Sequence, residues 1–220
     1  MKFNYKKLLQ VTLREGIKYL MFLIAFILIS ILLLTQCSGV MNAIDNAFIN
    51  FNKNVLENSL LTSIMTAITY LGSYGSYIFL VVISFIVLRK KILIPTFMMC
   101  AVGGSGVLNK IVKAFIKRPR PETALIAIPD SYSFPSGHTM CSVVFYMYLI
   151  HLVNVYVTDK TLKNILRVVL TLIPIAIGYS RIYLGVHYAT DVIAGAIIGV
   201  VTYFPFIKIT NAIKEGFEKW

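Results

Sequence analysis

Residues 189–207 read ATDVIAGAIIGVVTYFPFI, a run with one charged residue, Asp191, at its start. A helix needs about 20 mostly apolar residues to cross the hydrocarbon layer of a bilayer, so this stretch has the length and composition of a span. Gly195 and Gly199 stand four residues apart in it and would let a neighbouring helix come close. Comparable runs recur upstream at Tyr19 to Leu34, Leu60 to Leu88, Ile92 to Leu108, Met140 to Tyr156 and Val168 to Tyr179. The second is too long for one upright crossing and is interrupted by Gly72-Ser73-Tyr74-Gly75-Ser76. Its first part, Leu60 to Leu71, reads as an outer amphipathic helix with Leu61, Ile64, Ile68 and Leu71 on one face, and the crossing begins near Ser76. The expected fold is all-α, a polytopic membrane bundle of six transmembrane helices occupying residues 1–220 as a single domain.

Composition agrees. The chain is 58% hydrophobic and 14% charged, with a mean hydropathy of +0.79, which excludes an ordinary soluble domain. The net charge of +12 sits in clusters between apolar runs, so anionic lipid, and no nucleic acid, is the expected neighbour. Cys37, Cys100 and Cys141 are too few and scattered for a disulfide framework and read as packing residues. Leu34-Thr35-Gln36-Cys37 faintly resembles a lipoprotein cleavage site, but Gln36 is larger than the small residue expected there, so the first helix is expected to stay. Gly103, Gly104 and Gly106 would line close helix contacts, and Pro174 would kink the fifth span.

Of the 21 Lys and Arg residues, 14 fall on the side of both termini: Lys2, Lys6, Lys7, Arg14, Lys18, Arg89, Lys90, Lys91, Lys160, Lys163, Arg167, Lys208, Lys214 and Lys219. The other seven are Lys53, Lys110, Lys113, Lys117, Arg118, Arg120 and Arg181. Both termini should therefore be cytoplasmic. Five of the seven opposing charges crowd between Lys110 and Arg120, where topology does not ask for them. Basic residues gathered at a membrane surface suit an anion.

Three segments could hold that anion. In residues 113–121, Lys110, Lys113 and Lys117 are spaced to share a helical face, and Pro119 and Pro121 end the helix and stiffen the turn carrying Arg120. Arginine offers a planar fork to phosphate oxygens and lysine a point charge, although a plain basic interface flank would look the same. In residues 135–138, Pro-Ser-Gly-His, Ser136 and Gly137 lie at a helix start where free N–H groups favour an anion, and His138 stands at the rim. An ordinary serine cap is the bland alternative. In residues 180–191, His187 and Asp191 are four apart, so a helix beginning by Val186 would bring the carboxylate to one ring nitrogen and leave the other as a nucleophile. Arg181 adds a donor. His and Asp could also ligate a metal, but Lys113, Arg120 and Arg181 raise the local potential against a divalent cation. His151 lies thirteen residues beyond His138, about 20 Å along a helix, and belongs to the opposite end.

Together the segments resemble the signature of the type 2 phosphatidic acid phosphatase superfamily, K-x6-R-P, P-S-G-H and S-R-x5-H-x3-D. Lys113 with Arg120-Pro121, Pro135 to His138, and Ser180-Arg181 with His187 and Asp191 match every signature position. The resemblance implies that His187 attacks phosphorus to form a phosphohistidine, that Asp191 orients it, and that His138 protonates the leaving oxygen. It implies that Lys113, Arg120, Ser136, Gly137 and Arg181 hold the phosphoryl oxygens, with no cofactor and no metal. It further implies a bacterial plasma membrane enzyme, its active site on the extracytoplasmic face, acting on phosphatidylglycerophosphate, phosphatidic acid or undecaprenyl diphosphate that enters sideways from the bilayer. Arg118, outside the signature, should tolerate replacement better than His187. Two other readings stay open. An anion transporter or channel could use the same cations, though transporters bind nearer mid-membrane; vanadium haloperoxidases share the residues but are soluble. The sequence carries no signal for an oligomeric state or for regulation.

Overall fold

The computed structural model describes residues 5–53, 58–128 and 130–217; Lys2 and Lys219, and the side chains of Lys7, Lys53 and Lys214, lie outside the described set. Among the described residues the chain forms eight helices and no strand: α1 (Tyr5–Gln36), α2 (Ser38–Lys53), α3 (Ser59–Leu71), α4 (Tyr74–Val87), α5 (Leu93–Ile116), α6 (Gly137–Tyr156), α7 (Lys160–Tyr183) and α8 (Ala189–Phe217). Five are long and apolar enough to cross a membrane, and α3 with α4, bent by 50° at the Gly72-Ser73 break, makes a sixth. The chain is a multi-pass membrane protein.

The spans run past their apolar cores because a helix does not end where hydrocarbon ends. In α1 it continues through Lys6, Arg14 and Lys18, and in α5 it continues from Leu108 to Ile116. The α3–α4 break has a local cause: Ser73 caps α4 by accepting from the Ser76 N–H at 3.3 Å, so α4 begins at Tyr74, close to the expected start near Ser76.

α6 is central, packed against α5, α7 and α8. Tyr77, Phe97, Met98, Cys141, Phe145, Tyr148 and Ile177 form its core, and the Tyr77 and Ser142 hydroxyls share a 2.7 Å bond there. Many large apolar side chains of α1, α4 and α7, such as Leu28, Ile86 and Leu172, are exposed, as a lipid-facing surface requires. A Cβ on Gly195 would lie 2.6 Å from the Ser136 carbonyl, and one on Gly199 would lie 2.9 Å from that of Met140, so these glycines set the α6–α8 approach. Gly195→Val is expected to destabilise the bundle by about 1–3 kcal/mol through overpacking. Its melting temperature in detergent, compared with that of the parent chain, checks this; an unchanged melt would refute it.

Several expectations are corrected. Gly103 and Gly104 have nothing within 4 Å of an added Cβ, and only Gly106 makes a close contact, 2.9 Å to the Tyr74 hydroxyl. Cys37 and Cys100 are exposed, leaving Cys141 as the packing cysteine. On α3, Ile64 and Leu71 point outward, while Leu61, Met65, Ile68 and Thr69 meet the bundle. Helix α2 has no counterpart among the six expected spans. Met41, Asp45, Ile49 and Asn52 turn inward along it at helical spacing, and Asn52 accepts from the Tyr179 hydroxyl at 3.2 Å.

Candidate active site

The ends of α5 and α7 and the starts of α6 and α8 meet at one end of the bundle, and all three sequence segments lie there. Lys113, in the last turn of α5, is 8% exposed and donates to the carbonyls of Tyr132 and, at 3.1 Å, Ser133. Lys110 and Lys117 do not share its face: both are exposed, and Lys117 ends α5 in the left-handed region at φ 51°. The loop that follows carries Arg120 across the site, donating to Ser131 O at 2.7 Å and Val186 O at 2.8 Å.

Ser136 caps α6. Its fully buried hydroxyl accepts from the Thr139 hydroxyl at 2.9 Å, which leaves its own proton available to a further acceptor. Gly137 is the first helical residue, and its N–H has no partner within the helix. A Cβ there would come within 2.8 Å of Asn109 Oδ1, while Asn109 Nδ2 holds the Pro135 carbonyl at 3.0 Å. The His138 ring faces Gly72, where an added Cβ would approach it to 3.3 Å. His138 is within electrostatic reach of Lys113, Arg120, Arg181 and His187.

Arg181 is 3% exposed in the last turn of α7. One guanidinium nitrogen donates to Thr69 of α3 at 2.8 Å, and Nε, fully buried, has no partner among the described residues. The Arg181 carbonyl accepts from the N–H groups of Val186 and His187, each at 3.3 Å, which fixes the turn that presents His187. Gly185 makes that turn at φ +65°, where a side chain would also overlap the Thr123 carbonyl.

His187 precedes α8, which begins at Ala189 and not by Val186, yet the expected contact forms by another route. Asp191 stands at the third helical position and reaches back to the Tyr188 N–H at 3.0 Å, as in a capping box. The same oxygen, Oδ2, lies 3.4 Å from His187 Nδ1. On the other side of the ring, Nε2 lies 3.3 Å from Arg120 Nη1. A guanidinium can only donate, so Nε2 must accept, which assigns the ring hydrogen to Nδ1 and the lone pair to the site interior. Burial pushes the imidazole down to about 4, with Asp191 opposing that shift, so the ring is neutral at pH 7.

Four groups went unread in the sequence: Ser133, whose hydroxyl bonds Asp191 Oδ2 and lies 3.3 Å from His187 Nδ1; Asn109; Thr69; and Asp45 of α2. Asp45 alone left a legible trace, as an acid at helical spacing with Met41, Ile49 and Asn52 along the inward stripe of α2. Arg118 donates to Asp191 Oδ1 at 2.7 Å, Asp45 Oδ2 at 2.6 Å and Thr190 Oγ1 at 2.8 Å. His151, in contrast, stacks on Tyr148 further along α6. Among the described residues, no three of the His, Cys, Asp and Glu side chains gather at one point.

A helical membrane bundle with cations, two histidines and a carboxylate at one mouth defines a class. The PAP2 superfamily pattern matches residues 91–215, and the chain belongs to that superfamily. Among relatives, it is 30% identical over 168 residues to phosphatidylglycerophosphatase B of Bacillus subtilis, covering 75% of this chain and 83% of that one. It is 28% identical to the undecaprenyl-diphosphatase of Sulfolobus acidocaldarius, over 76% and 78% of the two chains. The crystal structure of the PAP2-type phosphatidylglycerolphosphate phosphatase from Bacillus subtilis superposes with a TM-score of 0.71 at 27% identity, covering 91% of this chain and 96% of that one. That of Aquifex aeolicus LpxE gives 0.57 at 28% identity, covering 77% and 93%.

Proposed function

We propose that this chain is a membrane lipid phosphatase that hydrolyses a phosphomonoester or diphosphate of a lipid through a phosphohistidine on His187. The observation that carries the reading is the His187 ring: Nδ1 faces the Asp191 carboxylate and Nε2 faces the Arg120 guanidinium. A phosphoryl group drawn to Arg120 would meet the lone pair of Nε2. Lys113, Arg181, Ser136 and the Gly137 N–H offer further donors for its oxygens, and phosphoryl transfer depends mostly on such positioning and charge stabilisation. His138, at the start of α6, serves as the acid for the departing lipid oxygen and then activates the water that frees His187. The 14 to 7 division of Lys and Arg supports cytoplasmic termini and an extracytoplasmic site.

Phosphatidylglycerophosphate, phosphatidic acid and undecaprenyl diphosphate, assayed side by side in detergent for released phosphate, test the substrate class. The expected result is turnover of at least one of them; phosphate release from none would overturn the reading and favour an anion carrier. The pH profile is the finer check. Nε2 attacks only when the ring is neutral, so activity is retained above about 4 and lost as pH falls through it. A profile that stays flat as pH falls through about 4 would contradict this role of His187.

A further inference from the structure

We propose that Arg118, clamped by Asp45 of α2, is a positioning residue that holds the Asp191 carboxylate in register with His187. The inference rests on the reading of His187 as the nucleophile.

Asp191 divides its two oxygens between two tasks. Oδ2 serves the His187 side, shared with the Ser133 hydroxyl and the Tyr188 N–H. Oδ1 has a different partner, Arg118 Nη1 at 2.7 Å. With both oxygens held, the carboxylate cannot swing about its Cβ–Cγ bond. The plane that meets Nδ1 is therefore fixed from the side away from the site.

Arg118 is in turn fixed from two directions. Its Nη2 donates to Asp45 Oδ2 at 2.6 Å, and its guanidinium carbon lies 4.1 Å from the centre of the Tyr188 ring. Asp45, 2% exposed, accepts with Oδ1 from the Thr190 N–H at 3.0 Å and with Oδ2 from the Thr190 hydroxyl at 2.9 Å. It thereby also satisfies an otherwise free donor at the start of α8. One acidic residue of α2 thus aims the arginine and braces the helix turn on which Asp191 sits.

The charge balance fits this role better than substrate binding. Both strong donor edges of Arg118 used here face carboxylates, and two anions beside one cation leave little attraction for a third. Burial would lower the guanidinium pKa, yet Asp191 and Asp45 raise it above its ordinary value, so the cation is committed to them. Arg120 and Arg181, in contrast, have no ion-pair partner among the described residues and remain the anion donors.

The test is steady-state kinetics on detergent-dispersed dioctanoyl phosphatidic acid. A small positional error at a catalytic group costs about 100-fold, so Arg118→Ala is expected to lower kcat roughly 10- to 100-fold with KM within about twofold of the parent. Arg118→Lys should recover part of kcat, since an ammonium can reach one carboxylate but not fork between two. Asp45→Asn should lower kcat by a smaller factor and add little in the Arg118→Ala background, because both act through one arrangement. If Arg118→Ala does not fold, as judged by gel filtration in detergent, the Lys and Asn variants carry the test. A rise in KM at unchanged kcat, full activity in Arg118→Ala, or losses that multiply in the double variant would each overturn the proposal. His187→Ala, run alongside, separates the two readings: if it is inactive while Arg118→Ala is normal, only the positioning role fails; if it is active, the nucleophile assignment itself fails.

Discussion

His187→Ala is expected to reduce phosphate release by on the order of 10⁴-fold or more, the largest loss of any single substitution in this chain. The reason is the lone pair on Nε2. No other group in the site combines a neutral nitrogen, burial at 3% exposure and a carboxylate on its far side. Water held by Arg120 and Arg181 could attack in its absence, but without a covalent intermediate it would face the full barrier in one step. Denatured enzyme quenched during turnover of labelled substrate should carry phosphate on the parent protein, stable in alkali and lost in acid, and none on the variant. Residual activity above a tenth of the parent value would show that another group delivers the attack. Loss of labelling together with loss of monodispersity would instead indicate misfolding, and His187→Gln, close in size, would then decide.

The sequence was most legible where one local pattern dictated one outcome. Apolar runs located the five long helices and the bent pair, since hydrocarbon leaves a backbone few alternatives to helix. The three signature segments were legible for a similar reason: each sits at a helix end, so spacing alone placed them at a common level. Asp191 shows the limit of that approach. Its contact with His187 was expected from helical spacing, but it arises from a capping interaction one turn into α8, with His187 outside the helix.

The parts that stayed hidden depend on long-range partners. Helix α2 is polar enough to pass for a loop, and its one informative residue, Asp45, acquires meaning only through Arg118 and Thr190, 73 and 145 residues away. The face of α3 was misjudged because both of its sides are apolar: one meets lipid and the other meets α7, so periodicity could not choose between them. Thr69, on the bundle side, is polar and short and gave no sign that it would hold Arg181. Arg118 was read as a bystander because it sits outside the spacing of the signature, whereas the folded chain gives it two buried carboxylates.

Arg181→Ala is the second large effect. Its guanidinium is 3% exposed, spends one nitrogen on Thr69, and leaves Nε buried and unpaired. An unsatisfied buried donor costs about 1–3 kcal/mol, more when charged, so a fold that keeps one has a use for it. An anion between Arg181 and Arg120 would supply the missing acceptor, and the bond would strengthen as charge moves onto the phosphoryl oxygens in the transition state. Removing a donor of that kind typically lowers kcat by about 10²–10³-fold. Arg181→Lys should remain severely impaired, since one ammonium cannot keep Thr69 and also present a second planar N–H to phosphate. Thr69→Val provides the internal comparison: it frees the guanidinium from α3 without removing its charge, and its loss should be well under that of Arg181→Ala. Stability should move the other way from activity, because Arg181→Ala removes a buried, incompletely satisfied cation. A melting temperature in detergent that holds or rises while kcat collapses would identify Arg181 as a residue kept for the anion; a fall in both together would make it part of the scaffold.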